Sequence, residues 1–271
     1  MSLLDWVRVE SVLQTISRAF CHSDRTSHDI IPLSGFVLSL IRDAKIELQG
    51  KRADLGRHRL SQPAERSMMD IPTEILTCDR SSLSNCRCHF FEMVCSLLAH
   101  VELCRELAEK LTKACWGAFR LSKMISVQTE SLKILSILFA RNDSGASVNE
   151  FVSKVLTVSR LAGRQNSSFR SAILDSFTHM LIERSHFMSN TSIQAINTFL
   201  LNCISIGLSE TQKQGFYMSL FSAIHSFMGA FPQFDTRSTI FVQTIILLDR
   251  SVIATFPRLD SLVYQIRTDF A

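Results

Sequence analysis

The residues best suited to chemistry lie between positions 78 and 95, where four of the chain's eight cysteines and one histidine are gathered. A structural zinc site needs four such ligands within about 2.3 Å of one ion. On a helix, Cys86 and Cys88 point about 200° apart and cannot reach the same ion. Only an unwound segment would bring together a zinc site made of Cys78, Cys86, Cys88 and His89.

The spacing of this stretch favours a buried helix over a metal site. Two apolar stripes follow the helical period: Cys88, Phe91, Cys95 and Leu98, and Phe90, Val94, Leu97, Val101 and Cys104. Free cysteine is among the residue types most often buried. We therefore predict core cysteines with no metal and no other cofactor, and keep a zinc-dependent protein as the alternative.

Recognisable catalytic motifs do not occur in the sequence. It has no glycine-rich phosphate loop, no HExxH and no GxSxG elbow. His179 and His186 lie seven positions apart on one face of a predicted helix, which is too far for a shared metal ion. We expect each histidine to be a surface or core-edge residue, and we predict that the protein is not an enzyme.

The composition predicts an all-α fold. Of the 271 residues, 46% are hydrophobic and 20% are charged, with only 9 glycines and 5 prolines. So few helix breakers in an apolar chain favour long helices over the frequent turns of a β-sandwich. The start MSLLDWVRVE lacks the basic region of a signal peptide, and the segment IFVQTIILL is too short to span a bilayer. We expect a soluble intracellular protein with reduced cysteines.

Three regions follow one another along the chain. Residues 1–49 are predicted to form an N-terminal helical segment, residues 50–69 a basic linker, and residues 70–271 an α-helical array. From about Leu83 the array is almost continuously helical. Its polar breaks, each with a capping residue such as Asp235, are RNDSGAS (141–147), AGRQNSS (162–168), SHFMSNTS (185–192), GLSETQ (207–212) and FPQFDTRS (231–238). Breaks about every 20 to 26 residues give helix pairs a period of roughly 40 to 47 residues, as in armadillo and HEAT proteins. We therefore predict an irregular armadillo/HEAT-like array without a consensus repeat.

The first helix carries a candidate partner-binding surface. Its residues are Leu3, Leu4, Trp6 and Val7. A tryptophan near the start of a detached amphipathic helix can anchor in the groove of a partner. The alternative is that this helix docks on the chain's own second helix, through residues such as Phe36 and Leu40.

The linker carries candidate DNA contacts. They are the basic residues Lys51, Arg52, Arg57 and Arg59. Basic arms neutralise phosphates without reading base sequence, and the lack of interleaved aromatic residues argues against stacking on single strands. We therefore predict contact with duplex DNA, and the alternative is a solvated linker.

Charge is sparse in the second half of the chain. Residues 145–271 contain only 10 Lys or Arg and 8 Asp or Glu. A helical array with so few charges exposes uncharged polar and apolar side chains, and such surface usually lies against a partner. The alternative is a large core flanked by uncharged polar residues.

The layout resembles one known family, the helical accessory subunits of the meiotic DNA double-strand-break machinery. WVRVESVLQTISRAF is similar to the short tryptophan-containing helical start of that family. A second helix and a basic stretch then lead through a linker to a C-terminal α-helical domain. Within that domain, FLLNCISIGLSETQKQGFYMSLFSAIHSFMGAF, from Phe199, is similar to the family's later helices.

The resemblance implies a non-enzymatic, chromosome-associated protein of the nucleus. Members of the family bind a partner through the N-terminal helix, associate with chromosomal DNA and help to recruit the topoisomerase-like protein that makes the breaks. Here Trp6 would belong to the partner-binding helix, and Lys51 to Arg59 would be the DNA contacts. Neither a membrane nor a small-molecule substrate is expected. The alternative function is a cytoplasmic armadillo/HEAT-like adaptor or scaffold unrelated to DNA.

Overall fold

The computed structural model describes residues 7–15, 58–59, 61–64, 66–67, 94–95, 97–98, 101–121, 125–141, 147–161, 166–209, 212–234, 237–248, 264–265 and 268. These residues are helical almost throughout, which confirms the predicted all-α fold. The chain divides into two compact units, an N-terminal unit (Met1–Leu138) and a C-terminal unit (Phe139–Ala271). The armadillo/HEAT-like repeat architecture stays a prediction.

The secondary-structure elements with defined ends are two short strands and a series of longer helices. The strands are β1 (His58–Arg59) and β2 (Val101–Glu102), and the helices are α1 (Arg105–Leu121), α2 (Ile125–Arg141), α3 (Val148–Leu161), α4 (Ser167–Arg184), a 3-10 helix (Ser185–Phe187), α5 (Asn190–Ser209), α6 (Gln214–Ala230) and α7 (Arg237–Leu248). Residues 7–15 are also helical. Each interruption between α2 and α7 coincides with a polar break predicted from the sequence.

Polar side chains at these breaks explain where several helices begin. Asn166 accepts a hydrogen bond from the backbone N–H of Phe169 at 3.1 Å, which caps α4. Ser189 likewise accepts from the backbone N–H of Ser192 at the start of α5. Such caps satisfy N–H groups that have no partner within the helix. The prediction of a capping residue at every break is wrong at α6, because Lys213 precedes it without a side-chain cap. Asp235 lies outside the described residues.

The predicted continuous helix after Leu83 is wrong at β2. Val101 and Glu102 pair in parallel with His58 and Arg59. Because a strand directs its backbone groups sideways to another strand, these two residues cannot also continue a helix. Val101 is nevertheless fully buried.

In the N-terminal unit, α1 has one buried and one charged face. Leu107, Leu111, Cys115 and Phe119 recur every four residues and are almost completely buried. The opposite face carries exposed ion pairs between residues one turn apart. Since exposed pairs contribute only a few tenths of a kcal/mol each, burial of the apolar face provides most of the stability of this helix.

In the C-terminal unit, helices pack on their second neighbours as well as on the next helix along the chain. The most extensive contact joins α4 and α6, while α5 contacts α3, α6 and α7. Aromatic side chains fill the core: Phe151, Phe177, Phe216, Tyr217, Phe221 and Phe227 are almost inaccessible to solvent. Each such ring stabilises the fold by roughly 1.5 to 3 kcal/mol relative to an exposed position.

Candidate functional site

Of the predicted partner-binding residues, only Val7 is described, at the first position of the helix 7–15. Val7 is 60% exposed, whereas Val9 and Leu13, one turn apart, are fully buried. The Glu10 carboxylate accepts a hydrogen bond from the backbone N–H of Ser61 at 2.9 Å. This helix is therefore anchored through Val9 and Leu13, and Val7 lies on its solvent side. Leu3, Leu4 and Trp6 lie outside the described residues.

Of the predicted DNA contacts, only the backbone of Arg59 is described. It lies in β1, opposite Glu102 in β2. The structure does not describe Lys51, Arg52 or Arg57. DNA contact by these residues stays a prediction.

In the described part of the chain, no cysteine forms a disulfide bond. Cys115 and Cys203 are buried, whereas Cys95 and Cys104 are partly exposed. Burial raises the pKa of Cys115, and neighbouring Cys95 raises it further. The described ranges hold no cluster of metal-ligating side chains. The zinc alternative built on Cys78, Cys86, Cys88 and His89 falls outside these ranges.

The predicted alignment of two histidines on one helix is wrong. His179 lies in α4, which ends at Arg184, and His186 lies in the following 3-10 helix. The ring of His186 lies against the exposed ring of Phe187, with 4.2 Å between their centroids. On that ring also lies the guanidinium of Arg184, 4.2 Å from the centroid. The exposed Phe187 ring thus contacts both the imidazole of His186 and the guanidinium of Arg184.

A groove with a volume of about 590 Å³ lies between α3, α4 and α5. Its volume is within the range typical of ligand-binding clefts. The described side chains that line it are Leu156 and Ser159 of α3, Phe169, Arg170 and Ile173 of α4, and Ala195, Thr198, Phe199, Asn202, Cys203, Ser205 and Ile206 of α5. All of them belong to the C-terminal unit.

The groove has an apolar floor and a polar rim. Leu156, Phe169 and Ile173 are buried beneath it. Thr198 and Asn202 lie exposed on the rim, one helical turn apart on α5. A concave apolar surface with a few polar groups at its edge is the usual composition of a binding site in a protein.

Arg170 is the one charged side chain among the described residues of the groove. Its guanidinium carbon lies 5.9 Å from the centroid of the Phe216 ring, so the cation lies near an aromatic face. Burial raises the pKa of the Cys203 thiol to about 12, and the charge of Arg170 acts in the opposite direction. The Cys203 thiol is therefore held in its protonated form in the wall of the groove.

The groove was not predicted from the sequence. Its residues come from three helices, and their meeting depends on how those helices pack. One signal was available in α5, which contains no Asp, Glu, Lys or Arg over its whole length. A helix buried on one side only would normally carry charges on the other. The exposed side of α5 instead carries uncharged polar residues such as Gln194, Thr198 and Asn202, and the half-buried Phe199 and Ile206 lie beside its buried face.

A second uncharged surface lies on α7. Ile240, Thr244 and Leu247 form its buried face. On its other side, Val242 and Ile246 are 55% and 53% exposed and lie one turn apart. We call Val242 and Ile246 the α7 apolar pair.

Among the described helices, only α5 is long and apolar enough to cross a bilayer by length and composition. Part of the apolar character of α5 comes from side chains such as Leu200 and Cys203, which are buried in the core of the C-terminal unit. In comparisons with known proteins, the chain matches no family model, no curated protein and no solved structure.

Proposed function

We propose that the chain is a non-enzymatic protein-interaction subunit whose C-terminal unit provides the binding surface. The observation that carries this proposal is the lack of charge on three successive helices. Neither α5 nor α6 contains an Asp, Glu, Lys or Arg residue, and α7 contains only Arg237.

The exposed sides of these helices support the same function. A helix face in contact with water normally carries charged residues, which keep a protein soluble and prevent association. The α7 apolar pair instead exposes two branched aliphatic side chains. Burial of such side chains against a partner removes apolar surface from water and favours association. The proposal assigns no reaction to Cys115 or Cys203, because their raised pKa values keep the thiols protonated.

The partners that we propose are proteins of the meiotic double-strand-break machinery, in the nucleus and on chromosomes. The support is the resemblance of the N-terminal helix and of the later helices to that family, together with the all-α fold. In this proposal the N-terminal segment predicted from the sequence (residues 1–49), which carries Trp6, also binds a partner subunit. The basic residues Lys51, Arg52, Arg57 and Arg59 contact duplex DNA.

Affinity capture of the tagged full chain from reproductive and non-reproductive tissue tests the choice of partners. We expect chromosomal recombination proteins to be enriched in the reproductive sample. Recovery of the same trafficking or cytoskeletal proteins from both tissues would contradict the meiotic role. It would instead support the alternative, a cytoplasmic armadillo/HEAT-like adaptor, which the second-neighbour packing of α4 with α6 and of α5 with α7 favours.

Salt-dependent binding to a fluorescent DNA duplex tests the proposed DNA contacts. Each neutralised phosphate adds about 0.9 to the slope of log affinity against log salt. Replacement of Lys51, Arg52, Arg57 and Arg59 by glutamine should reduce that slope by about 3 to 4. Lys154→Gln, at an exposed cation on α3, is the control. An equal slope in the fourfold variant and the wild type would contradict DNA binding by the linker.

A further inference from the structure

We infer that the groove between α3, α4 and α5 binds an amphipathic α-helix of a partner protein, with an acidic side chain of that helix facing Arg170. The inference rests on the proposed function, since it names the kind of partner that one surface of the interaction subunit accepts. It is carried by the length of the groove, the polarity of its walls and the charge of Arg170, which is the one charged side chain among its described residues.

The length of the groove fits about three turns of a helix. Its residues on α5 extend from Ala195 to Ile206, and at 1.5 Å per residue this distance is about 16 Å along the helix axis. A partner helix of about eleven residues has the same length. The exposed rim residues Thr198 and Asn202 leave the groove open along its side, as a docked helix requires.

The walls of the groove match the two sides of an amphipathic helix. The half-buried Ala195, Phe199 and Ile206 give the groove an accessible apolar wall, which suits a stripe of aliphatic or aromatic side chains at positions i, i+4 and i+7. Thr198 and Asn202 can exchange hydrogen bonds with the polar flank of the same helix. A nucleic-acid strand does not fit, because it would bring many phosphates to a groove whose described lining holds one cation.

The charge of Arg170 favours an acidic side chain on the partner helix. Arg170 lies in the first turn of α4, near Cys203 and the ring of Phe216 at the beginning of α6. A guanidinium has five N–H donors, so it can retain its contacts within the chain and still bind a carboxylate. The described groove residues include no acidic side chain. An aspartate or glutamate near one end of the apolar stripe is therefore attracted, and a lysine there is repelled.

Selection from a displayed library of alanine-based 15-residue helices, randomised on one face, tests this inference on the full chain. We expect the bound sequences to carry apolar residues at i, i+4 and i+7 and an acidic residue near one end. The affinity of a selected peptide for the wild type is then measured by fluorescence anisotropy. Two variants should each lower the affinity for this peptide by about tenfold or more. They are Thr198→Trp, which fills the open side of the groove, and Asn202→Glu, which places a negative charge on the rim. Gln194→Glu, the same kind of charge change on an exposed part of α5 outside the groove, should leave that affinity unchanged.

A double-mutant cycle identifies the ion pair. Replacing the acidic residue of the selected peptide by glutamine should lower affinity by about tenfold for the wild type but by less than twofold for Arg170→Gln. Equal losses for both proteins would overturn the assignment of Arg170. If Thr198→Trp leaves the affinity of the selected peptides unchanged, or if the library yields no binding peptide, the assignment of the groove as a helix-binding site is overturned.

Self-association abolished by Thr198→Trp would show that a second copy occupies the groove, and would also overturn the inference. Loss of captured protein partners on Val242→Glu/Ile246→Glu but not on Thr198→Trp would preserve the proposed function while removing the groove from it.

Discussion

The side-chain amide of Asn149 binds the backbone of Ser189, forty residues later in the chain. Its Oδ1 accepts a hydrogen bond from the Ser189 N–H at 2.8 Å, and its Nδ2 donates to the Phe187 carbonyl at 3.3 Å. Asn149 lies in the first turn of α3, and the two backbone groups lie between α4 and α5. One side chain thus joins the three helices that supply all the described residues of the groove.

Substitution of Asn149 tests the importance of this connection. Asn149→Ala removes both hydrogen bonds to a turn that is itself exposed, so we expect the free energy of unfolding to fall by about 1 to 2 kcal/mol. Urea denaturation followed by circular dichroism measures the change. Asn202→Ala, an exposed asparagine on α5, is the matched control and should change stability by less than about 0.5 kcal/mol. Equal losses in the two variants would contradict a structural role for the Asn149 amide.

Gly207 permits close packing of α5 against two other helices. A Cβ at this position would lie 3.3 Å from Cε1 of Tyr217 and 3.4 Å from Cδ1 of Leu247. Gly207→Val should therefore lower the free energy of unfolding by about 1 to 3 kcal/mol, because its methyl groups would overlap both side chains. Gly229→Val, where nothing lies within 4 Å of the added Cβ, is the matched control. We expect no loss of stability there, since valine is no worse in a helix than glycine. A loss of similar size at both glycines would show that packing at Gly207 is not the cause.

The buried thiol of Cys203 predicts a loss of stability at alkaline pH. Burial raises its folded-state pKa to about 12, whereas an unfolded cysteine titrates near 9.0. The unfolded chain therefore loses this proton first, and the thiol's contribution, complete below about pH 9, falls as pH rises toward 12. Between pH 7.5 and 10.5 the wild type should lose about 2 kcal/mol more than Cys203→Ala. Chemical denaturation of both proteins at the two pH values measures the difference, and parallel losses would contradict a protonated buried thiol.

Shortening a side chain should affect stability differently on the two faces of helix 7–15. Val9→Ala removes fully buried methyl groups and should lower the free energy of unfolding by about 1 to 3 kcal/mol. Val7→Ala, on the exposed side, should leave stability within about 0.5 kcal/mol of the wild type. If Val7 belongs to the proposed partner-binding set, its substitution should weaken partner capture without changing the melting temperature. A stability loss at Val7 equal to that at Val9 would favour docking of both faces within the chain.

The helix boundaries of the C-terminal unit were predictable because local chemistry sets them. The side chains of Asn166 and Ser189 accept hydrogen bonds from backbone N–H groups at the starts of α4 and α5. The preference of asparagine and serine for such positions can be read from the sequence. The strand at Val101 was not predictable in the same way, because its pairing with His58 depends on a contact between residues far apart in the chain. Val101 continues the helical spacing of Val94 and Leu97, so the pattern predicted a helix through this position.

The groove also depends on contacts between residues that are far apart in the chain. The sequence indicated a sparsely charged surface after residue 145, and α5 is the clearest part of it. It did not indicate that Arg170 of α4 would lie beside Cys203 of α5, since that proximity arises from packing between helices. Leu156 and Ile173 are ordinary core residues by pattern, and the structure buries both of them beneath the groove.

The central claim is that the uncharged helices of the C-terminal unit bind a protein partner, and the most direct test is capture with the α7 apolar pair altered. Tagged wild type, Val242→Glu/Ile246→Glu and the control Ile182→Glu, at a similarly exposed isoleucine on α4, are compared at equal expression and equal melting temperature. We predict that a partner present in stoichiometric amounts with the wild type and with Ile182→Glu is lost from the double variant. Retention of the same partner by the double variant, or absence of any stoichiometric partner from the wild type, would contradict the claim.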